Sequence, residues 1–301
     1  MPSLTTLLER HWNLEHVVLG STLHQYPTRH VLAIRSDQGR FVVKVYKDEW
    51  ALGLAGPFFA EIDRRLSIFD YLARKGFRRA PSLLKSKAGD RFIRTGGTMV
   101  YILEWIEGTQ PLATAETWAE LGRLAASLNA WTDYPHGYAI PVAGAIAELT
   151  EQAERYPFRS EFLYLVSTLG ILADQPARLI HGELNPSNSV RSPDGRLSIL
   201  DWDQAGTGPW VLEGGYPLIT TFLSEDLMFD ARSAAAFYGF WAEGHDMDAE
   251  RRDIIFTAAL LHALRYLEFG DPFKRWTRIQ YAVAHKHELL SALDAGTSRN
   301  A

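Results

Sequence analysis

The stretch 181–203 constrains this chain more than any other. It reads His-Gly-Glu-Leu-Asn-Pro-Ser-Asn-Ser-Val, then a polar turn, then Leu-Ser-Ile-Leu-Asp-Trp-Asp. A carboxylate, Glu183, precedes an amide, Asn188, by five positions, and a second carboxylate, Asp201, follows thirteen positions later. Phosphoryl transfer needs such a kit. One group orients the attacking hydroxyl and takes its proton, while an Asn and an Asp hold the Mg²⁺ ions that neutralise the triphosphate. Residues 178–180 and 197–200 are short strand-like runs, and 193–196 (Pro-Asp-Gly-Arg) is a turn between them. The pattern predicts a loop carrying Glu183 and Asn188, and the end of a β-run presenting Asp201.

This segment resembles the catalytic heart of the aminoglycoside phosphotransferase and choline kinase-like family, small-molecule kinases of the protein kinase-like fold. The family pattern there is His-Gly-Asp-x-x-x-x-Asn, followed by Ile-Asp-Trp-Asp or a close variant. Both blocks and their spacing match, except that Glu183 stands where the family has Asp. The resemblance implies ATP and Mg²⁺ as cofactors and a small-molecule hydroxyl as acceptor. It makes Glu183 the catalytic base, Asn188 and Asp201 the metal ligands, and Asp203 a support for metal or acceptor. His181 is expected to brace the loop. So is Glu213, which occupies the register of a family Asp that follows Gly-Asp-Pro. Glu for Asp adds one methylene, which moves the carboxylate by about 1.5 Å unless the backbone retreats.

The implied fold is α+β: a two-lobed protein kinase-like architecture. An N-terminal antiparallel β-sheet lobe with one main helix (1–106) would bind ATP. A mostly helical C-terminal lobe (107–301) would carry catalysis and substrate binding. The rest of the chain reads accordingly. Residues 41–46 (Phe-Val-Val-Lys-Val-Tyr) form a strand in which Val42, Lys44 and Tyr46 share a face. A Lys flanked by Val fits the ATP lysine of the kinase strand Val-Ala-Ile-Lys, which pairs with the α- and β-phosphates and a helix Glu. Residues 59–75 have helical periodicity, and Glu61 in the first turn is the expected partner. An isolated strand Lys or first-turn Glu would otherwise be unremarkable.

Between strands expected at 17–19 and 30–34 lies a loop with a single glycine, where the amides around Ser21 and Thr22 are candidates to face phosphate. Further strands are expected at 81–86, 91–94 and 98–104. The last runs into Glu104-Trp105-Ile106-Glu107-Gly108, which resembles the family's adenine-binding hinge. Helices follow at about 114–131, 145–155, 160–173, 218–243, 249–269 and 274–293. Strands first and helices afterwards imply segregated lobes, not alternating βαβ units.

Composition narrows the partners. The 301 residues are 47% hydrophobic, enough for two cores, and 31 basic against 36 acidic residues leave a net charge of −5. No basic run stands out, so nucleic acid is not expected. No cysteine is present, which excludes disulfides and fits the cytoplasm. The N-terminus lacks a signal-peptide layout, and the apolar run 50–60 is too short to span a membrane. The sequence does not fix the oligomeric state. For the acceptor, Glu225 and Asp226 among aromatics would suit an amine, by charge or by cation–π contact. Aminoglycosides, sugars, choline-like and homoserine-like molecules stay open. A pseudokinase-like binding or regulatory protein is the alternative, favoured by the sparse phosphate loop and Glu183, and opposed by Lys44, Asn188 and Asp201.

Overall fold

The structure is a computed structural model that describes residues 3–25, 29–47, 58–95, 97–138, 141–243 and 247–297. The chain divides into two compact units: Met1–Thr109 with Val190–Leu200, and Gln110–Ser189 with Asp201–Ala301.

The first unit opens with helix α1 (Leu4–His11), whose Ser3 hydroxyl caps the Thr6 amide at 3.2 Å. Then come β1 (Val18–Gln25), β2 (Arg29–Ser36), β3 (Gly39–Lys47), α2 (Phe58–Arg74), β4 (Leu83–Leu84), β5 (Ile93–Thr95) and β6 (Thr98–Glu104). The strands form one antiparallel sheet in the order β1-β2-β3-β6-β4, with β5 also paired to β6. Alternation along β3 and β6 gives the sheet two different faces. Val43, Val100 and Ile102 join Leu8, Trp12 and Ile34 in an apolar core. The Trp12 indole N–H satisfies the Leu84 carbonyl at 2.9 Å. Lys44, Tyr46 and Tyr101 lie on the other face, all buried, with the two tyrosine rings stacked at 6.0 Å.

Two sequence expectations change here. β1 continues to Gln25, so Ser21 and Thr22 lie inside a strand and not in the loop after it. Opposite β2, β1 carries extra residues between Leu19 and Thr22 and again between Thr22 and His24. Such bulges increase local twist and leave backbone groups out of the ladder. The strand expected at 81–86 shrinks to β4, because the Ser86 hydroxyl accepts the Ala88 and Asp90 amides and turns the chain.

The second unit is mostly helical: α3 (Ala115–Asn129), α4 (Val142–Gln152) and α5 (Arg159–Ser167) precede strand β7 (Ala177–Ile180). The hairpin β8 (Ser189–Arg191) and β9 (Leu197–Ile199) follows, and its residues 190–200 belong to the first unit. There the Ile199 amide donates to the Arg79 carbonyl (2.6 Å), and Thr109 and Arg191 exchange amide–carbonyl bonds at 3.1 and 2.8 Å. The second unit resumes with β10 (Gly206–Pro209), which pairs antiparallel with β7, and ends with α6 (Val211–Thr220), α7 (Ala231–Trp241), α8 (Ala249–Arg265), α9 (Pro272–Ala284) and α10 (Lys286–Thr297). Trp118, Phe222, Phe237, Tyr238 and Trp241 are buried together, and the Trp241 N–H finds Asn129 Oδ1 at 2.8 Å. The aromatics Phe222, Tyr238 and Trp241 are therefore core residues.

The single helix expected over 218–243 is two helices. α6 ends at Thr220, Leu227 turns through a positive φ of 61°, and the Asp230 carboxylate caps α7 through the Ser233 amide at 3.0 Å. The helix expected over 274–293 likewise breaks at His285 into α9 and α10. No helix among the described residues is long and apolar enough to cross a membrane.

Candidate active site

The loop 181–188, between β7 and β8, is built almost entirely from its own hydrogen bonds and from α6. Glu213, in the first turn of α6 and fully buried, accepts the His181 amide at 2.5 Å and the Gly182 amide at 3.3 Å. Burial pushes the Glu213 carboxyl up to about 7, against the pull of those two donors. The His181 ring is buried edge-on to Trp202 at 4.8 Å, and its Nδ1 accepts the Glu183 amide at 3.3 Å.

Gly182 turns with φ +87°, and a Cβ there would sit 2.6 Å from the Tyr138 ring. Farther along, Asn185 stitches the loop to itself. Its Nδ2 donates to the Glu183 carbonyl (3.0 Å) and to the Tyr216 hydroxyl (3.1 Å), and its Oδ1 takes the Asn188 amide (2.9 Å).

The Glu183 carboxylate is half-buried. Its Oε1 accepts from the Tyr266 hydroxyl at 2.7 Å and from Gln204 Nε2 at 2.8 Å. Its Oε2 accepts no hydrogen bond among the described residues. Burial raises the Glu183 pKa most. The Tyr266 hydrogen bond opposes that, the Asp201 charge adds to it, Arg265 opposes, and Asp203 adds again. Asn188 donates its Nδ2 to the Glu183 carbonyl at 3.0 Å, which fixes the amide orientation and leaves Oδ1 as a free acceptor among the described residues.

Asp201 follows β9 in the left-handed conformation (φ 56°, ψ 62°), one of three non-glycine residues with positive φ among those described. Sparse backbone conformations of this kind cluster at functional sites. The strand stops before it and residues Trp202–Gln204 form a 3₁₀ turn. Asp203 therefore lies in this turn and does not share a strand face with Asp201.

Among the described residues no three His, Cys, Asp or Glu side chains gather as a metal cage. Mg²⁺ does not need one, because it is commonly held by one or two protein oxygens plus water and phosphate. Asn188 Oδ1 and the Asp201 carboxylate are hard oxygen donors of that kind.

The other candidates lie in the first unit. Lys44 is 6% exposed, with its ammonium 5.9 Å from the Tyr101 ring centre. Glu61 is in α2, but its side chain lies outside the described residues, and so does its pairing with Lys44. In the segment expected to form the hinge, the Glu104 amide donates to the Ser82 carbonyl (2.8 Å) and the Trp105 amide to the Arg40 carbonyl (3.3 Å). The Ile106 amide makes no such bond among the described residues. The Arg40 guanidinium lies 4.1 Å over the Trp105 ring and pairs with Glu107 at 2.7 Å. Glu225 and Asp226 are exposed in the turn between α6 and α7, not on a helix.

Sequence reasoning missed Tyr266 and Gln204. Tyr266 reads as one more core aromatic at helical spacing, and nothing local marks it as a ligand of a carboxylate 83 positions away.

The model of the phosphotransferase enzyme family matches residues 28–252. Among solved structures, the chain is similar to an aminoglycoside phosphotransferase from Alicyclobacillus acidocaldarius (13% identity, covering 99% of this chain and 97% of that one, TM-score 0.58). A spectinomycin phosphotransferase in complex with ADP and spectinomycin compares similarly (13% identity, 97% of each chain, TM-score 0.60). So does the choline kinase from Cryptosporidium parvum (11% identity, 94% of this chain and 88% of that one, TM-score 0.54). No curated protein matches the chain. The structural likenesses show the protein kinase-like fold, and fold and family model together define a small-molecule kinase. The chain belongs to the phosphotransferase enzyme family.

Proposed function

We propose that this protein transfers the γ-phosphoryl group of ATP to a hydroxyl of a small molecule, with Glu183 as the general base. The observation that carries this reading is the state of the Glu183 carboxylate. One oxygen is pinned by Tyr266 and Gln204, and the other accepts no hydrogen bond among the described residues, which leaves it available to take a proton. A base held this way is positioned before substrate arrives, and positioning is most of what a loose phosphoryl-transfer transition state asks of the protein. As the acceptor oxygen attacks, its proton passes to Glu183 Oε2.

Asn188 and Asp201 would hold Mg²⁺, which when bound neutralises charge on the phosphates. Lys44, steadied by Glu61, would contact the α- and β-phosphates, and the backbone around Ser21 and Thr22 would cover them. The Glu104–Trp105–Ile106 backbone would take adenine, with the Ile106 amide as donor. His181 and Glu213 keep the loop in shape, and Asp203 supports the metal or the acceptor. The first unit would thus serve the nucleotide and the second the chemistry, as the 1–106 and 107–301 lobes were expected to do. Nucleotide binding is supported by the ADP-bound relative. The acceptor is one of the hydroxyl compounds such kinases use: an aminoglycoside, a sugar, a choline-like or a homoserine-like molecule. Glu225 and Asp226 stand as candidate contacts for an amine on it.

An ATP-consumption screen over these acceptors tests the activity, and variants at Glu183 test the mechanism. Glu183→Gln should lower kcat by about 10²-fold or more with nucleotide affinity nearly unchanged. Glu183→Asp should also be slower, since the shorter arm withdraws from Tyr266 and Gln204. A Gln variant as active as the parent, or an Asp variant faster than it, would overturn the assignment.

A further inference from the structure

The second unit holds a small cavity of about 150 Å³ lined by Glu225, Gly270, Asp271, Lys274, Arg275 and Arg278. Three of the six are cations, in a chain that is acidic overall. They sit on the first turns of α9, where Lys274 and Arg278 are four residues apart and share a face. Arg278 is only 8% exposed. Its guanidinium carries five N–H donors, yet it makes a single long hydrogen bond among the described residues, from Nη1 to the Leu223 carbonyl at 3.4 Å. No ion pair reaches it there. Burial lowers its pKa most, the neighbouring Arg275 charge lowers it further, and the Glu225 charge opposes both. A buried charge is ordinarily paired, whereas Arg278 lines this cavity with most of its donors unbonded among the described residues.

The Arg275 side chain lies along Gly270, so close that a Cβ there would be 3.1 Å from Nε. The acids do not complete the site. Asp271 caps α9, its Oδ1 accepting the Phe273 and Lys274 amides at 2.9 and 3.3 Å, and it keeps its negative charge at the cavity wall. Glu225 is exposed at the rim; among the described residues it forms no ion pair with the three cations and acts on Arg278 only through its charge.

We propose that this cavity binds a small oxyanion group, a carboxylate or a phosphate, held by Arg278 and Arg275 with Lys274 at the mouth. Guanidinium groups match such oxyanions with paired N–H donors. The volume is that of a few water molecules at about 30 Å³ each, room for one such head group. Glu225 and Asp271 oppose the guest as like charges and limit its affinity. An anion thus fits this cavity better than the amine that Glu225 alone would suggest. The site stands whether or not the phosphotransfer reading does.

The test is titration of the full chain with inorganic phosphate and, separately, with acetate at low ionic strength, followed by the saturable rise in melting temperature. The Lys274→Ala/Arg275→Ala variant keeps every other anion site, so the difference from the parent reports the cavity. Both side chains are at least partly exposed, so that variant should fold. Binding should weaken at least tenfold in it and tighten in Glu225→Gln. A response to phosphate alone assigns a phosphate-bearing guest, and a response to both anions assigns a carboxylate site. Equal binding by parent and double variant, no saturable binding by the parent, or weaker binding in Glu225→Gln would overturn the proposal.

Discussion

The Tyr266 hydroxyl donates to Glu183 Oε1 at 2.7 Å, tying the end of α8 to the loop that carries the proposed base. This bond favours the ionised carboxylate and so opposes the upward push of burial on Glu183. Tyr266→Phe should therefore raise the Glu183 pKa further. The acid limb of a kcat/KM–pH profile should move to higher pH, and kcat at neutral pH should fall by roughly tenfold. An unmoved acid limb would show that Glu183 is not the titrating base.

Asp201→Asn tests the metal assignment without disturbing the backbone. Asn tolerates the left-handed region as well as Asp does, so the φ of 56° at this position can be kept. The variant should melt within a few degrees of the parent but lose most Mg²⁺-dependent ADP binding. Retention of parental affinity would remove Asp201 from the metal site.

Glu213 and His262 should impose opposite pH slopes on stability. Glu213 titrates near 7 when folded, above the ordinary carboxylate value of 4.5. From about pH 4.5 to 7 the folded chain thus holds a proton the unfolded chain has lost, and stability falls as pH rises. His262, buried against the Leu212 carbonyl at 3.1 Å, is held down to about 3. Below its ordinary 6.5 the unfolded chain gains a proton that the folded chain refuses, so stability falls as pH drops. The two effects offset one another between about pH 4.5 and 6.5. Urea unfolding across that window should show a rising slope with pH in Glu213→Gln and a falling slope in His262→Gln. Each slope should amount to on the order of 1–3 kcal/mol.

Gly182→Ala should separate backbone strain from collision. At Gly195 φ is +83° with nothing within 4 Å of a built Cβ, whereas at Gly182 φ is +87° and the Tyr138 ring stands 2.6 Å away. Gly195→Ala should cost about 1–2 kcal/mol from the left-handed backbone alone. Gly182→Ala should cost about 1–3 kcal/mol more from overpacking. Equal losses at the two sites would mean that Tyr138 moves aside freely.

The proposed active loop was legible in the sequence because its logic is local. Glu183 and Asn188 are joined within six residues by the loop's own hydrogen bonds, and spacing alone preserves such a unit. Strand β6 was legible for a similar reason, since an apolar run between a Gly-Gly turn and a Gly-terminated hinge has few alternatives. Tyr266 was not, because only folding brings it to Glu183. Nor were the breaks at 221–230 and at His285. Apolar periodicity runs through both, and the chain is turned there by Leu227 in a left-handed conformation and by the Asp230 cap. Ser21 and Thr22 were misplaced because a bulged strand lacks clean alternation.

The hairpin 190–200 is an excursion by the second unit's sequence into the first unit. Asn188 lies just before its departure and Asp201 just after its return. A gene cut at 109/110 would leave the N-terminal piece without the partners of Arg79 and Thr109, which are Leu197, Ile199 and Arg191. The halves of this protein are therefore not independent cassettes. Neither can be excised, swapped into a relative or expressed alone as one contiguous fragment with its hydrogen bonding intact. A split that respects the structure would fall at the exposed hairpin tip, Asp194–Gly195, where the two pieces could reassemble by fragment complementation.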